Sequence, residues 1–104
     1  MTGLDQLFAT IATRKDADPA SSYTAKLLAA GVATCAKKFG EEATETVIAA
    51  IQRDRTELTK ESADVLYHLA VLWAASGITP DDVYAVLKAR EGVSGLDEKA
   101  SRKG

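Results

Sequence analysis

The sequence predicts an all-α protein: about five helices in an antiparallel bundle, completed by dimerisation. Three observations carry the helical assignment. The 104 residues include only two prolines. Alanine, the strongest helix former, recurs throughout. Apolar residues return every three or four positions, while the alternation that marks strands is scarce. At 11.0 kDa the chain is long enough for one domain and one modest core. That domain is assigned to residues 1–91, and residues 92–104 read as a polar, frayed tail.

Each element has its own warrant. Leu4, Leu7, Phe8 and Ile11 share helical spacing, and Asp16-Ala17-Asp18-Pro19 ends that first helix near Arg14. Ser21 or Ser22 can cap a second helix from Tyr23 to Ala30, with Gly31 as its stop or a sharp break. A third helix runs from Val32 to about Gln52, with Val47, Ile48 and Ile51 as an apolar stripe. Asp54 followed by Glu57 has the form of a capping box. It opens a fourth helix through Leu58, Val65, Leu66, Leu69, Leu72 and Trp73 to Ser76-Gly77. Thr79-Pro80-Asp81-Asp82 starts the fifth: a capping Thr, Pro at the first helical position, acids in the first turn. The short link near Asp54 makes the third and fourth helices antiparallel neighbours.

Composition removes several function classes. Acids outnumber bases 15 to 13, for a net charge of −2, which argues against binding nucleic acid through a basic field. Cys35 is the only cysteine and His68 the only histidine, so one chain builds neither a disulfide nor a Cys/His zinc site. The longest apolar run, Leu69 to Ala75, is far short of the ~20 residues that span a bilayer. No basic-then-apolar leader is visible at the start, so a cytoplasmic setting without membrane contact is expected.

The chemistry lies in paired carboxylates. Glu42 and Glu45 are three apart on the third helix and share a face, and so are Glu61 and Asp64 on the fourth. Folding the hairpin about Asp54 and Arg55 puts Glu45 level with Asp64, each roughly 14 Å from the turn at 1.5 Å per residue. It puts Glu42 opposite Tyr67 and His68, and Glu61 opposite Ile48. Periodicity does not fix the rotation that would bring the two pairs face to face. Like charges gathered there repel and lose solvation. A hard cation with oxygen ligands, Mg²⁺ first and Mn²⁺ second, relieves both costs and can hold substrate phosphates. Lys37 and Lys38, one turn earlier, could neutralise phosphate oxygens.

The competing reading is a solvated acidic face, with Lys37–Glu41 and Lys38–Glu42 as ordinary four-apart ion pairs worth only ~0.3–0.5 kcal/mol each. Gly40 inside the helix costs about 0.5–1 kcal/mol against Ala. It reads either as a close approach of a ligand or helix, or as a tolerated kink. His68, one turn beyond Asp64, reads as a structural or supporting residue. Cys35, Tyr67 and Trp73 read as core.

Taken together, Ser22-Tyr23-Thr24, Lys37-Lys38, Gly40-Glu41-Glu42-Ala43-x-Glu45 and Glu61-x-Ala63-Asp64-Val65-Leu66-Tyr67-His68 resemble the phosphoribosyl-ATP pyrophosphohydrolase family. It is part of the MazG-type superfamily of all-helical nucleotide pyrophosphohydrolases. The resemblance runs from about Leu4 to Arg90. It implies hydrolysis of phosphoribosyl-ATP to phosphoribosyl-AMP and pyrophosphate, the second step of histidine biosynthesis, in a Mg²⁺-dependent cytoplasmic homodimer. By the same resemblance, Glu42, Glu45, Glu61 and Asp64 match the metal-binding acids. Glu41 matches an outer ligand or water-orienting base, so that Glu41, Glu42 and Glu45 form the catalytic set. Lys37 and Lys38 match phosphate contacts, and Ser22, Tyr23 and Thr24 shape the substrate pocket. A chain of this length without further cysteines is expected to be the stand-alone form, not one fused to the zinc cyclohydrolase of the next step. Two alternatives remain at this point: a house-cleaning nucleoside triphosphate pyrophosphohydrolase of the same superfamily, and a non-enzymatic helical dimer.

Overall fold

A computed structural model describes residues 3–91. It is built from helices α1 (Gly3–Thr13), α2 (Tyr23–Ala30), α3 (Val32–Ile51), α4 (Arg55–Ser76) and α5 (Pro80–Ala89), and no strand occurs among the described residues. These are the five helices expected, within a residue or two at each end. The tail expected at 92–104 lies outside the described residues.

Local chemistry sets the boundaries. Ser22 caps α2 by accepting a hydrogen bond from the Ala25 amide at 3.1 Å. Gly31 has φ 98° and joins α2 to α3 without a longer loop. A Cβ there would meet no neighbour, so the backbone angle alone calls for glycine. Thr79 and Asp82 form a complete capping box at the start of α5, with Pro80 in the first turn. At α4 only half of the expected box is made. The Asp54 carboxylate accepts from the Glu57 amide at 3.0 Å, but the Asp54 amide already donates to Ala49 O at 3.1 Å. Glu57 pairs instead with Lys60 at 3.6 Å.

That Ala49 bond belongs to the turn that sets the hairpin. Arg53 donates to Ala50 O and Asp54 to Ala49 O, both at 3.1 Å, while Arg53 takes φ 58°. This is a Schellman motif with arginine in the left-handed position where glycine is usual. α4 ends in the same motif, through Gly77 to Ala74 O and Ile78 to Trp73 O, with Gly77 at φ 74°.

The α3–α4 hairpin carries the most extensive packing; α1 lies along α4, α2 bridges α3 and α4, and α5 meets α1 only lightly. Ile11, Leu27, Cys35, Ala70 and Val71 form the buried centre, one or two from each of the first four helices. Cys35 donates its thiol to Leu27 O at 3.3 Å, and burial pushes its pKa up, as befits a small core residue. Val47, Ile48 and Ile51 of α3 and Val86 and Leu87 of α5 remain exposed.

Candidate metal centre

The carboxylates sit on the hairpin, two turns or more from the turn at Arg53. Glu42 and Glu45 project from α3, and Glu61 meets them from α4. One ligand oxygen from each of the three lies within 4.8 Å of the others. The Glu45 and Glu61 carboxyls stand close enough for a protonated one to donate to the other, and the charge of Asp64 acts on both Glu42 and Glu61. The Schellman turn at Arg53 therefore leaves Glu45 nearest Glu61, and Asp64 outside the close triad. The expected pairing of Glu45 with Asp64 is thus shifted by about one turn, while Glu61 and Ile48 do line one cleft, as expected. A cleft of about 210 Å³ borders the triad, lined by Glu45, Ile48, Ala49, Gln52, Glu57 and Glu61. Glu57 shares the α4 ridge of Glu61, four residues before it, whereas the place of Gln52 in the cleft depends on the turn and no helical period reveals it.

The electrostatics are those of like charges crowded together. Glu61 is pushed up to about 7, first by its hydrogen bond with Glu45, then by burial, then by the charges of Glu45, Glu42 and Asp64. Glu42 is also raised, by burial first and then by its contact with Glu45. Glu61 Oε2 is buried and has no hydrogen-bond partner. An orphaned buried acceptor is costly to leave unpaired. The donor set is all oxygen, which suits a hard divalent cation. Three carboxylate oxygens within 4.8 Å of one another could be drawn together by such an ion. The residues present fit such an ion.

The basic residues divide. Lys38 pairs with Glu41 at 3.4 Å, three residues along, in place of the four-apart pairs Lys37–Glu41 and Lys38–Glu42. Both partners are partly exposed, so the pair contributes little to stability. Lys37 is exposed on the same helix and takes part in none of the ion pairs among the described residues. Gly40 lies between the lysines and the acids. α3 continues through it, and a Cβ there would meet nothing within 4 Å, so no contact within the described chain requires it.

Ser22, Tyr23 and Thr24 take three different positions. Ser22 is committed to the α2 cap. Thr24 Oγ1 and the Tyr67 hydroxyl are hydrogen-bonded at 2.5 Å. Tyr23 is 53% exposed, and its ring lies 6.5 Å from that of Tyr67, nearly parallel at 20°. His68 stands edge-on to both tyrosines, at 6.2 Å and 5.0 Å. It is only 6% exposed, and its Nδ1 is buried without a partner. Burial lowers its pKa, although Asp64 pulls the other way, so the ring is neutral at pH 7. Tyr67 is thus half core and half wall of a polar corner. Its bond to Thr24 joins residues 43 apart, which no helical period reveals.

A sequence profile of the phosphoribosyl-ATP pyrophosphohydrolase family matches residues 4–91. The chain is 64% identical over 99 residues to a phosphoribosyl-ATP pyrophosphatase of Parvibaculum lavamentivorans, covering 95% of this chain and 91% of that one. It is 59% identical over 102 residues to the phosphoribosyl-ATP pyrophosphatase of Cereibacter sphaeroides, covering 98% and 99%. The same identity and length hold for that of Dinoroseobacter shibae, covering 98% and 100%.

Proposed function

The chain belongs to the phosphoribosyl-ATP pyrophosphohydrolase family, and from that membership we propose how its acidic hairpin does the family's work. The enzyme is a hydrolase of histidine biosynthesis that converts phosphoribosyl-ATP and water to phosphoribosyl-AMP and pyrophosphate. The observation that carries the assignment of the site is the convergence of Glu42, Glu45 and Glu61, with Glu61 Oε2 buried and unpaired.

In this proposal Glu42, Glu45 and Glu61 hold Mg²⁺, with Asp64 completing the set from the next turn of α4. Mn²⁺ is the natural substitute. The bound ion supplies charge neutralisation of phosphate oxygens and a more acidic water. Lys37 and Lys38 bind the phosphates as point charges, and Lys38 exchanges Glu41 for substrate when it does so. Glu41, released from Lys38, can then accept a hydrogen bond from the attacking water. Breaking a phosphoanhydride needs charge stabilisation and an oriented water, and no nucleophilic side chain. The aromatic corner at Tyr23, Thr24 and Tyr67 forms the rest of the substrate wall, with Ser22 holding α2 in place.

Two wider features belong to the same reading. The enzyme works as a homodimer, a proposal supported by the exposed Val47, Ile48 and Ile51, because a two-fold partner would cover them and wall the shallow cleft. It works in the cytoplasm, among the nucleotides it consumes; no helix among the described residues is long and apolar enough to cross a membrane.

Product analysis tests the proposal. Pyrophosphate released from phosphoribosyl-ATP only when Mg²⁺ is present, with little turnover of plain ATP, is the expected result. Comparable turnover of plain triphosphates would replace it with the house-cleaning activity. A folded sample that hydrolyses neither would overturn it.

A further inference from the structure

We propose that Tyr23, Tyr67 and His68 form the subsite for the purine of the nucleotide: the base stacks on Tyr23, and its polar edge pairs with His68 Nδ1. The inference rests on the reading of the acidic hairpin as the phosphate end of the same site. Four observations carry it. Tyr23 is a large aromatic side chain left 53% exposed at the start of α2, with only one side of its ring turned toward Tyr67 and His68. Tyr67 lies nearly parallel behind it, held by the Thr24 hydroxyl. That bond fixes the rear ring in place while the front ring stays exposed. His68 stands edge-on to both rings, 6% exposed, with Nδ1 buried and unpaired. A buried nitrogen without a partner marks a place where a polar group is still to arrive.

The fourth observation is spacing. His68 follows Glu61 by seven residues on α4, two helical turns, so the two share a face about 10 Å apart. That is the scale on which the base of a nucleotide stands from its outer phosphates. Asp64 lies between them, and its charge acts on both His68 and Glu61. Acid cluster and aromatic corner are thus two ends of one surface. No hydrogen bond among the described residues engages the Tyr23 hydroxyl, so its ring can turn, open His68 Nδ1 and present its face to the base. A neutral imidazole accepts a hydrogen bond at Nδ1 while carrying its proton on Nε2, and the exocyclic amine of adenine is a suitable donor. Base stacking on an aromatic side chain and one neutral hydrogen bond are the two contributions expected.

The test uses AMP and ribose 5-phosphate as probes, titrated into the full-length protein with Mg²⁺ present. Wild type is expected to bind AMP more tightly than ribose 5-phosphate. Tyr23→Ala should weaken AMP by about 10-fold, and up to about 100-fold, with ribose 5-phosphate unchanged. Tyr23→Phe should bind AMP like wild type. His68→Phe, which keeps a ring and removes the nitrogen, should weaken AMP by roughly 3- to 10-fold. Equal binding of the two probes by wild type would overturn the inference. So would a Tyr23→Ala effect of equal size on both probes, or a change in its sedimentation, which would make Tyr23 an interface residue. AMP binding is read without turnover. A protein that discriminates AMP as described but leaves phosphoribosyl-ATP intact would therefore support the base subsite and refute the proposed reaction.

Discussion

Within three turns of α3, the hairpin exposes two opposite chemistries. Glu42 and Glu45, with Glu61 from α4, gather like charge at one level. Val47, Ile48 and Ile51 leave apolar side chains in water just beyond, with Ile51 76% exposed. Both stretches are unfavourable in a lone chain, and they call for different remedies. Repelling carboxylates can be relieved by one small ion, because Coulomb energy concentrates at short range. Wet apolar side chains are relieved only by area, at about 25 cal/mol per Å² removed from water, which the proposed second subunit would supply. In the proposed reading the acidic level takes the ligand and the apolar level the partner, and the two lie within three turns of each other on α3.

The sharpest way to separate the two is to change the charge alone. Glu61→Gln should lower turnover of phosphoribosyl-ATP by at least about 100-fold, because metal stabilisation of phosphate charge is worth several kcal/mol. The same variant should melt at or above the wild-type temperature without metal, since it removes repulsion and no packing. A loss of activity that comes with unfolding would mean that Glu61 is structural. Next in size is the apolar level. Ile51→Glu should shift the protein from dimer to monomer in sedimentation, and should reduce activity if the partner walls the cleft. A variant that stays dimeric would place the interface elsewhere.

The pH dependence of stability sharpens the same contrast. In the cation-free protein Glu61 titrates at about 7 instead of 4.5. Between those values the folded chain holds a proton that the unfolded chain has lost. The stability from this group is therefore complete below about 4.5 and disappears as pH rises through about 7. His68, lowered by burial, acts in the opposite sense, losing stability as pH falls below its unfolded value. Comparison of wild type with Glu61→Gln isolates the carboxylate contribution. Thermal melts from pH 5 to 8 should fall more steeply for wild type. Mg²⁺ should raise the wild-type melt more at pH 8 than at pH 5, and identical slopes in the two proteins would contradict the assignment.

The smallest effect concerns the two Schellman turns. Gly77 sits at φ 74° and Arg53 at φ 58°, the same backbone role filled by a residue suited to it and one that is not. Arg53→Gly should stabilise the protein by about 0.5–1 kcal/mol in denaturant titration, since a non-glycine residue in the left-handed region costs about 1–2 kcal/mol and glycine gives back part of that in unfolded entropy. No gain would mean that the Arg53 side chain compensates elsewhere.

These turns also explain what the sequence discloses. Gly31, Gly77, Ser22, Asp54 and the Thr79-Pro80 start are local signals, and the helix boundaries beside them followed from them. The register of the hairpin did not, because Arg53 carries no mark of a left-handed conformation. Counting from a turn placed at Asp54 and Arg55 therefore set the acids one turn out of step. The acidic pairs were legible as a face of each helix; which three meet depends on rotation and on that turn. The contact of Thr24 with Tyr67 comes from the packing of α2 across α4, and local periodicity carries no information about it.

Calorimetric titration of Mg²⁺ into the cation-free protein at pH 6 and pH 8 tests the central claim most directly. The triad predicts binding at both values, tighter at pH 8, with protons released at pH 6 as the ion displaces them from the Glu45–Glu61 pair. Glu61→Gln should weaken binding and abolish most of that release. Absence of Mg²⁺ binding, or binding that neither depends on pH nor responds to Glu61→Gln, would contradict the account.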